Sequence, residues 1–185
     1  MNIFRILDSG QVMRWHTSPQ MNRLNQSNAS HTFGVMAIAE FLEPELCNLN
    51  FFRHVLYHDC GEIGTGDVSS NVKMRRADLS LILKQEETEE IYKMGIEMPP
   101  VTPAQLLLAK LADILEAHYH ILQYAVHPKE VEGWTKSIER CSDLISDLAR
   151  EGYNVFEKVD FTFNQLLRDR GICDESGDLI QITPL

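Results

Sequence analysis

The stretch Thr102-Pro103-Ala104-Gln105-Leu106-Leu107-Leu108-Ala109-Lys110-Leu111-Ala112-Asp113-Ile114-Leu115 decides how the chain is read. Thr102 is suited to cap a helix, Pro103 to fill its first position and Gln105 to answer the cap from three residues on. The leucines, Ala112 and Ile114 then make the most apolar helix in the sequence, predicted to reach Val126 before Pro128. Upstream, Pro99, Pro100 and Pro103 separate it from a charged amphipathic helix over residues 77–94, whose run 85–90 reads as a solvated face. Gly61, Gly64 and Gly66 predict short turns before that. Residues 46–59 predict a helix with Phe51, Phe52, Val55 and Leu56 on its buried side. Another starts around residues 28–30 and carries Phe33, Val35, Met36, Ile38, Ala39 and Leu42 as far as Pro44. A polar loop is expected over residues 15–28 and a short helix over 2–8, with Ile3, Ile6 and Leu7 at helical spacing. Downstream, helices are expected over about residues 131–150 and 155–170, then a short extended segment over 177–185. Alternating strands are nearly absent, so the expectation is an all-α bundle around one core.

A chain of 185 residues fits one domain, and 44% hydrophobic residues suit a folded protein with a core of its own. The balance of 27 acidic against 17 basic residues gives a net charge of −10 and argues against a general nucleic-acid binder. A local basic pocket stays compatible with it. Cys47, Cys60, Cys141 and Cys173 are far apart and form no C-x-x-C, which speaks against a disulfide framework. Neither a signal peptide nor a transmembrane run is visible, so the expected setting is a reducing cytosol, with no membrane partner.

Three polar positions stand out in this helical background. His31 opens an apolar helix, His58-Asp59 closes another, and Asp113 lies within the most apolar helix of all. A carboxylate there must face water or meet a cation, because burying it unpaired is costly. Two imidazoles and two carboxylates suit a divalent transition metal, and four ligands leave positions open for water and substrate. Taken singly, His31 also fits a core or helix-start histidine, and Asp113 a helix-surface residue. Lys110 lies three residues before Asp113, and Glu62 three after Asp59; each pair can share a helical face.

The order H…HD…D on an all-helical chain resembles the HD-domain metal-dependent phosphohydrolases. The likeness extends to Arg14-Trp15, Ser30-His31, His58-Asp59-Cys60-Gly61-Glu62, Thr65-Gly66-Asp67, Lys73 and Ala109-Lys110-Leu111-Ala112-Asp113. This series is similar to the bacterial HD-domain 5′-deoxynucleotidases and their phage relatives. It covers residues 1–120; helices over 130–170 are expected to complete a single HD domain spanning 1–185. Arg14-Trp15-His16-Thr17, Gln26 and Ser30 to Val35 look most like the phage branch, which includes dATP triphosphohydrolases.

The resemblance implies roles. His31, His58, Asp59 and Asp113 match the metal ligands, and Glu62 matches a general acid/base beside the catalytic His58-Asp59 pair. Arg14 matches a phosphate-binding arginine, with Lys73 and Lys110 as further candidates. Trp15 matches a ring near the sugar that would exclude a 2′-hydroxyl, and Asp67 a carboxylate that would accept a sugar hydroxyl. The implied cofactor is a divalent transition metal (Zn, Co, Mn, Fe or Ni), with Mg accompanying a triphosphate substrate. The implied partners are a deoxynucleotide and further copies of the chain, as a dimer or hexamer. For a phage protein, the setting would be the host cytoplasm. His16, His54, His118 and His120 are read as helix-surface or structural residues.

Two positions depart from the family pattern. Val68-Ser69-Ser70-Asn71 stands where the deoxynucleotidases carry prolines, and Ser30 where an acidic residue precedes the first histidine. Both lie near the expected pocket. Two hydrolytic functions therefore stay open: a deoxynucleoside triphosphohydrolase and a 5′-deoxynucleotidase acting on monophosphates. A non-enzymatic nucleotide sensor is the third reading, disfavoured by the intact ligand set and Glu62.

Overall fold

The computed structural model describes residues 1–15, 21, 25–123 and 133–169. Among them the structure is all-α; the sole strand-like feature is an isolated antiparallel bridge between Met13 and Ser27. In chain order the helices are α1 (Ile3–Ser9), α2 (Asn28–Leu42), α3 (Leu49–Tyr57), α4 (Glu62–Thr65), α5 (Ser70–Arg75), α6 (Ala77–Lys93), α7 (Pro103–Gln123), α8 (Trp134–Arg150) and α9 (Phe156–Asp169). The 177–185 segment, His16, Cys173 and the expected extension of the long helix towards Val126 fall outside the described residues.

The capping box at Thr102 forms as expected. Thr102 Oγ1 accepts from the Gln105 N–H at 3.2 Å, and Gln105 Oε1 accepts from the Thr102 N–H at 2.9 Å. Gln105 also donates to the Leu46 carbonyl at 2.7 Å, tying the start of α7 to the turn before α3. α7 is the central element and packs most extensively on α2 and α8. Val35, Ala39 and Leu42 of α2 meet Leu108, Leu111, Ala112 and Leu115 of α7, with Phe51 and Val55 of α3 and Leu144 and Leu148 of α8.

Some expectations are corrected. The predicted 46–59 helix is a 3₁₀ turn, Pro44–Leu46, followed by α3, because Asn48 caps a fresh start by accepting from the Phe51 N–H at 3.0 Å. Leu56 and Phe33 are exposed, at 45% and 72%. Phe33 lies about 200° around the helix from His31, and Leu56 about 140° from Phe51, so neither can share the inward stripe. Of the two alternatives, helix-surface or structural, His118 and His120 take the second, since both are buried. α6 buries no residue, and its acidic run is only partly solvated: Glu87 pairs with Lys73, and Glu90 with Arg5 and Lys93.

A candidate metal and phosphate site

The site lies where α2, the end of α3 and the middle of α7 converge. His31 is in the first turn of α2, which Ser27 caps, and is wholly buried. His58 is the C-terminal cap of α3, Asp59 follows it, and Asp113 lies on α7. Donor atoms of His31, His58 and Asp113 all lie within 4.8 Å of one another. Asp113 Oδ1 is 3.3 Å from His31 Nε2; Asp59 Oδ2 is 3.6 Å from that nitrogen and 3.2 Å from His58 Nε2.

The hydrogen bonds around the histidines fix which nitrogen is offered. His58 Nδ1 donates to the Val55 carbonyl at 2.6 Å, and His31 Nδ1 donates to Glu116 Oε2 at 2.5 Å. Both Nε2 atoms are buried and make no hydrogen bond, although carboxylate oxygens stand 3.2 to 3.6 Å away. Two inward lone pairs beside two carboxylates are the donor set a divalent transition metal takes, with each imidazole oriented from behind.

Charge is balanced locally. Arg14 Nη1 donates to Asp59 Oδ2 at 2.9 Å, and Lys110 Nζ to Asp113 Oδ2 at 2.8 Å. Burial works against the Arg14 guanidinium, but Asp59, Asp67, Asp113 and Glu62 together raise its pKa further. Burial would raise the pKa of Asp113; Lys110 and His31 outweigh it and hold the carboxyl well below its usual range. Burial opposes protonation of His31, yet the carboxylates of Asp113, 3.3 Å from Nε2, and Glu116, on Nδ1, push its pKa up to about 9, so an ion on Nε2 would take the place of a proton. Glu62 goes the other way. Burial, then the charges of Asp59 and Asp67, push its carboxyl up to about 8, against a 2.9 Å hydrogen bond from Asn28.

Trp15 sits at the rim with φ +65°, a left-handed conformation that costs a residue with a side chain. Its backbone N–H donates to Asp67 Oδ2 at 2.9 Å, its indole N–H to Gln26 Oε1 at 2.6 Å, and its ring stacks on His120. The structure thus brings together His31, His58, Asp59, Asp113, Glu62, Arg14 and Lys110, with Trp15 and Asp67 joined beside them. Lys73 is turned to Glu87 on α6, at 3.3 Å. Glu116 and Asn28 are buried polar members that sequence reasoning missed.

A family model of 5′-deoxynucleotidases, described as YfbR-like, matches residues 5–148. The chain belongs to the YfbR-like 5′-deoxynucleotidases. As a YfbR-like protein of the HD superfamily it is a hydrolase acting on deoxynucleotide phosphates, in a family that depends on metal. It is also 29% identical over 154 residues, 72% of its own length and 73% of the other's, to a dATP triphosphohydrolase from Acinetobacter phage SH-Ab 15497. No solved structure matches this YfbR-like chain significantly. No helix among its described residues is long and apolar enough to cross a membrane.

Proposed function

We propose that this protein is a metal-dependent deoxynucleoside triphosphohydrolase, with dATP as its first substrate, yielding deoxynucleoside and triphosphate. The similarity to the phage dATP triphosphohydrolase, spread over nearly three quarters of both chains, carries the reading. His31 and His58, through Nε2, and Asp59 and Asp113 would hold the ion; Zn, Co, Mn, Fe and Ni all suit them. When bound, such an ion polarises a phosphoryl oxygen and lowers the pKa of a water.

The protein's own groups do the rest. The water oxygen bonds to the α-phosphorus, the bond from that phosphorus to the sugar 5′-oxygen breaks, and Glu62, in its ionised form, takes the water's proton and passes it to the departing 5′-oxygen. Asn28 holds the Glu62 carboxyl in place for this, at 2.9 Å. Arg14, with a fork suited to phosphate oxygens, exchanges Asp59 for the α-phosphate. Lys110, more than half exposed beside Asp113, is placed for the outer phosphates, which Mg would accompany. Lys73 reaches them by releasing Glu87. The Trp15 ring crowds a 2′-hydroxyl, and Asp67, already anchored on the Trp15 N–H, accepts the 3′-hydroxyl. A dimer or hexamer working in the cytoplasm, the host's if the protein is phage-encoded, completes the reading.

The second reading, phosphate release from deoxynucleoside monophosphates, is favoured by the description of the matching family model. It uses the same ion site with fewer phosphate contacts. Chromatography of products from a panel of dNMPs, dNDPs and dNTPs, with several divalent metals, separates the two. Triphosphate from dATP is the expected product. Absence of triphosphate from every dNTP, with phosphate from dNMPs, would establish the second reading.

A further inference from the structure

Glu116 has no part in that hydrolysis, yet it is the most elaborately bonded carboxylate of the site. It lies one turn beyond Asp113 on α7 and is 5% exposed. Its Oε2 accepts from His31 Nδ1 at 2.5 Å, and its Oε1 from Gln26 Nε2 at 2.7 Å. Gln26, 2% exposed, in turn accepts from the Trp15 indole N–H at 2.6 Å. The polarity of this row is fixed. The donors are the indole N–H, the Gln26 amide N–H and the His31 ring N–H; a carboxamide at 26 and a carboxylate at 116 satisfy all three.

The fold makes room for the arrangement. Gly34 lies one turn after His31 on α2, and a Cβ there would fall 2.6 Å from Glu116 Cγ and 3.0 Å from its Oε1. Gly34 has ordinary helical geometry, so the space is the reason for glycine and backbone freedom is not. At the far end, the left-handed backbone of Trp15 is held by Asp67, Gln26 and the His120 ring together.

We propose that Glu116 and Gln26 are positioning residues that hold His31 and Trp15 as one unit, so that the same carboxylate sets the ion site and the pocket wall beside it. The proposal rests on the reading above, in which His31 is a metal ligand and Trp15 lines the substrate pocket. Glu116 keeps the His31 proton on Nδ1 and the Nε2 lone pair inward. Gln26 extends that anchor to the indole.

The test is a cobalt(II) titration of the metal-free full-length protein, read by its visible absorption bands and dissociation constant. Glu116→Gln sets two carboxamides face to face, so one donor in the row meets another donor. It is expected to weaken cobalt binding about 10- to 100-fold and to change the bands. Gln26→Glu touches no metal ligand, sets two carboxylates together, and is expected to weaken binding too. The double variant Gln26→Glu/Glu116→Gln restores an acceptor for every donor, with the charge moved one side chain away from His31. It is expected to bind cobalt more tightly than either single variant. Gly34→Ala, which improves helix propensity but displaces Glu116, is expected to weaken binding as well.

A double variant no better than Glu116→Gln, or a Glu116→Gln that binds like the parent, would overturn the proposal. Should Glu116→Gln fail to fold, Gln26→Glu against the double variant makes the same comparison. His31→Ala separates the two levels. If it leaves cobalt binding unchanged, the ion site itself is misread; if it abolishes binding while Glu116→Gln binds cobalt like the parent, the positioning role alone fails.

Discussion

Glu62 is a carboxyl in a place that suits its neutral form: 5% exposed, with its pKa pushed up to about 8 by burial and by Asp59 and Asp67. Glu62→Gln keeps the shape and the Asn28 hydrogen bond but removes the carboxyl that, once ionised, takes the water's proton. The expected outcome is a kcat lowered by about 10²- to 10⁴-fold, with metal affinity close to the parent's. Steady-state kinetics beside a metal titration checks it, and a fully active Glu62→Gln enzyme would remove Glu62 from the chemistry. This residue was legible because the resemblance implies an acid/base there, three positions after Asp59. Glu116 was not, since a single acidic residue on a helix reads as solvent-facing. The signal was the spacing of three through Lys110, Asp113 and Glu116 inside an apolar helix, which stacks three charges on one face. The left-handed Trp15 had no signal at all; tertiary bonds to Asp67 and Gln26 hold it there.

Between elements, close approach is the constraint that periodicity does not carry. The helix start at Thr102 could be read because a capping box is local. The packing of α4 on α6 could not, although Gly61 and Gly64 mark it. A Cβ on Gly61 would fall 2.4 Å from the Glu87 carbonyl oxygen, and one on Gly64 2.7 Å from Glu90 Cγ. Gly61 has φ −64°, which any residue adopts, so backbone freedom is not the reason for it. Gly61→Ala must push backbone against backbone, whereas the Glu90 side chain can swing away from Gly64→Ala. The first is therefore expected to destabilise by about 3 kcal/mol and the second by about 1 kcal/mol or less. Urea unfolding of both variants checks the order. Since Gly61 lies between Asp59 and Glu62, Gly61→Ala is also expected to lose activity before it unfolds. The turns expected at these glycines are thus contacts as well as breaks.

For the molecule as a whole, two electrostatic balances set behaviour in solution. The first concerns pH. His118 is buried where α7 meets α8 and α9, against Trp134 and Phe163, and burial pushes its pKa down to about 4. A histidine depressed from about 6.5 binds its proton more readily in the unfolded chain. Its contribution is complete above pH 6.5 and is lost as pH falls towards 4, by about 3 kcal/mol in all. Melting temperature against pH, compared between the parent and His118→Phe, should show a flatter acid limb in the variant; parallel limbs would contradict this. The second concerns substrate. A chain of net charge −10 repels a polyanion at long range, so nucleotide binding must be made locally favourable. Arg14 and Lys110 are each paired with a carboxylate of the ion site, Asp59 and Asp113, and so offer little free positive charge while those carboxylates are uncompensated. Were an ion held by Asp59 and Asp113, it would neutralise both carboxylates and leave Arg14 and Lys110 free to meet phosphate. Metal and nucleotide should therefore bind with positive linkage. A non-hydrolysable dATP analogue titrated calorimetrically should bind the metal-loaded protein at least about 10-fold more tightly than the stripped protein. Equal affinity in the two states would mean that the nucleotide is held by groups away from this site.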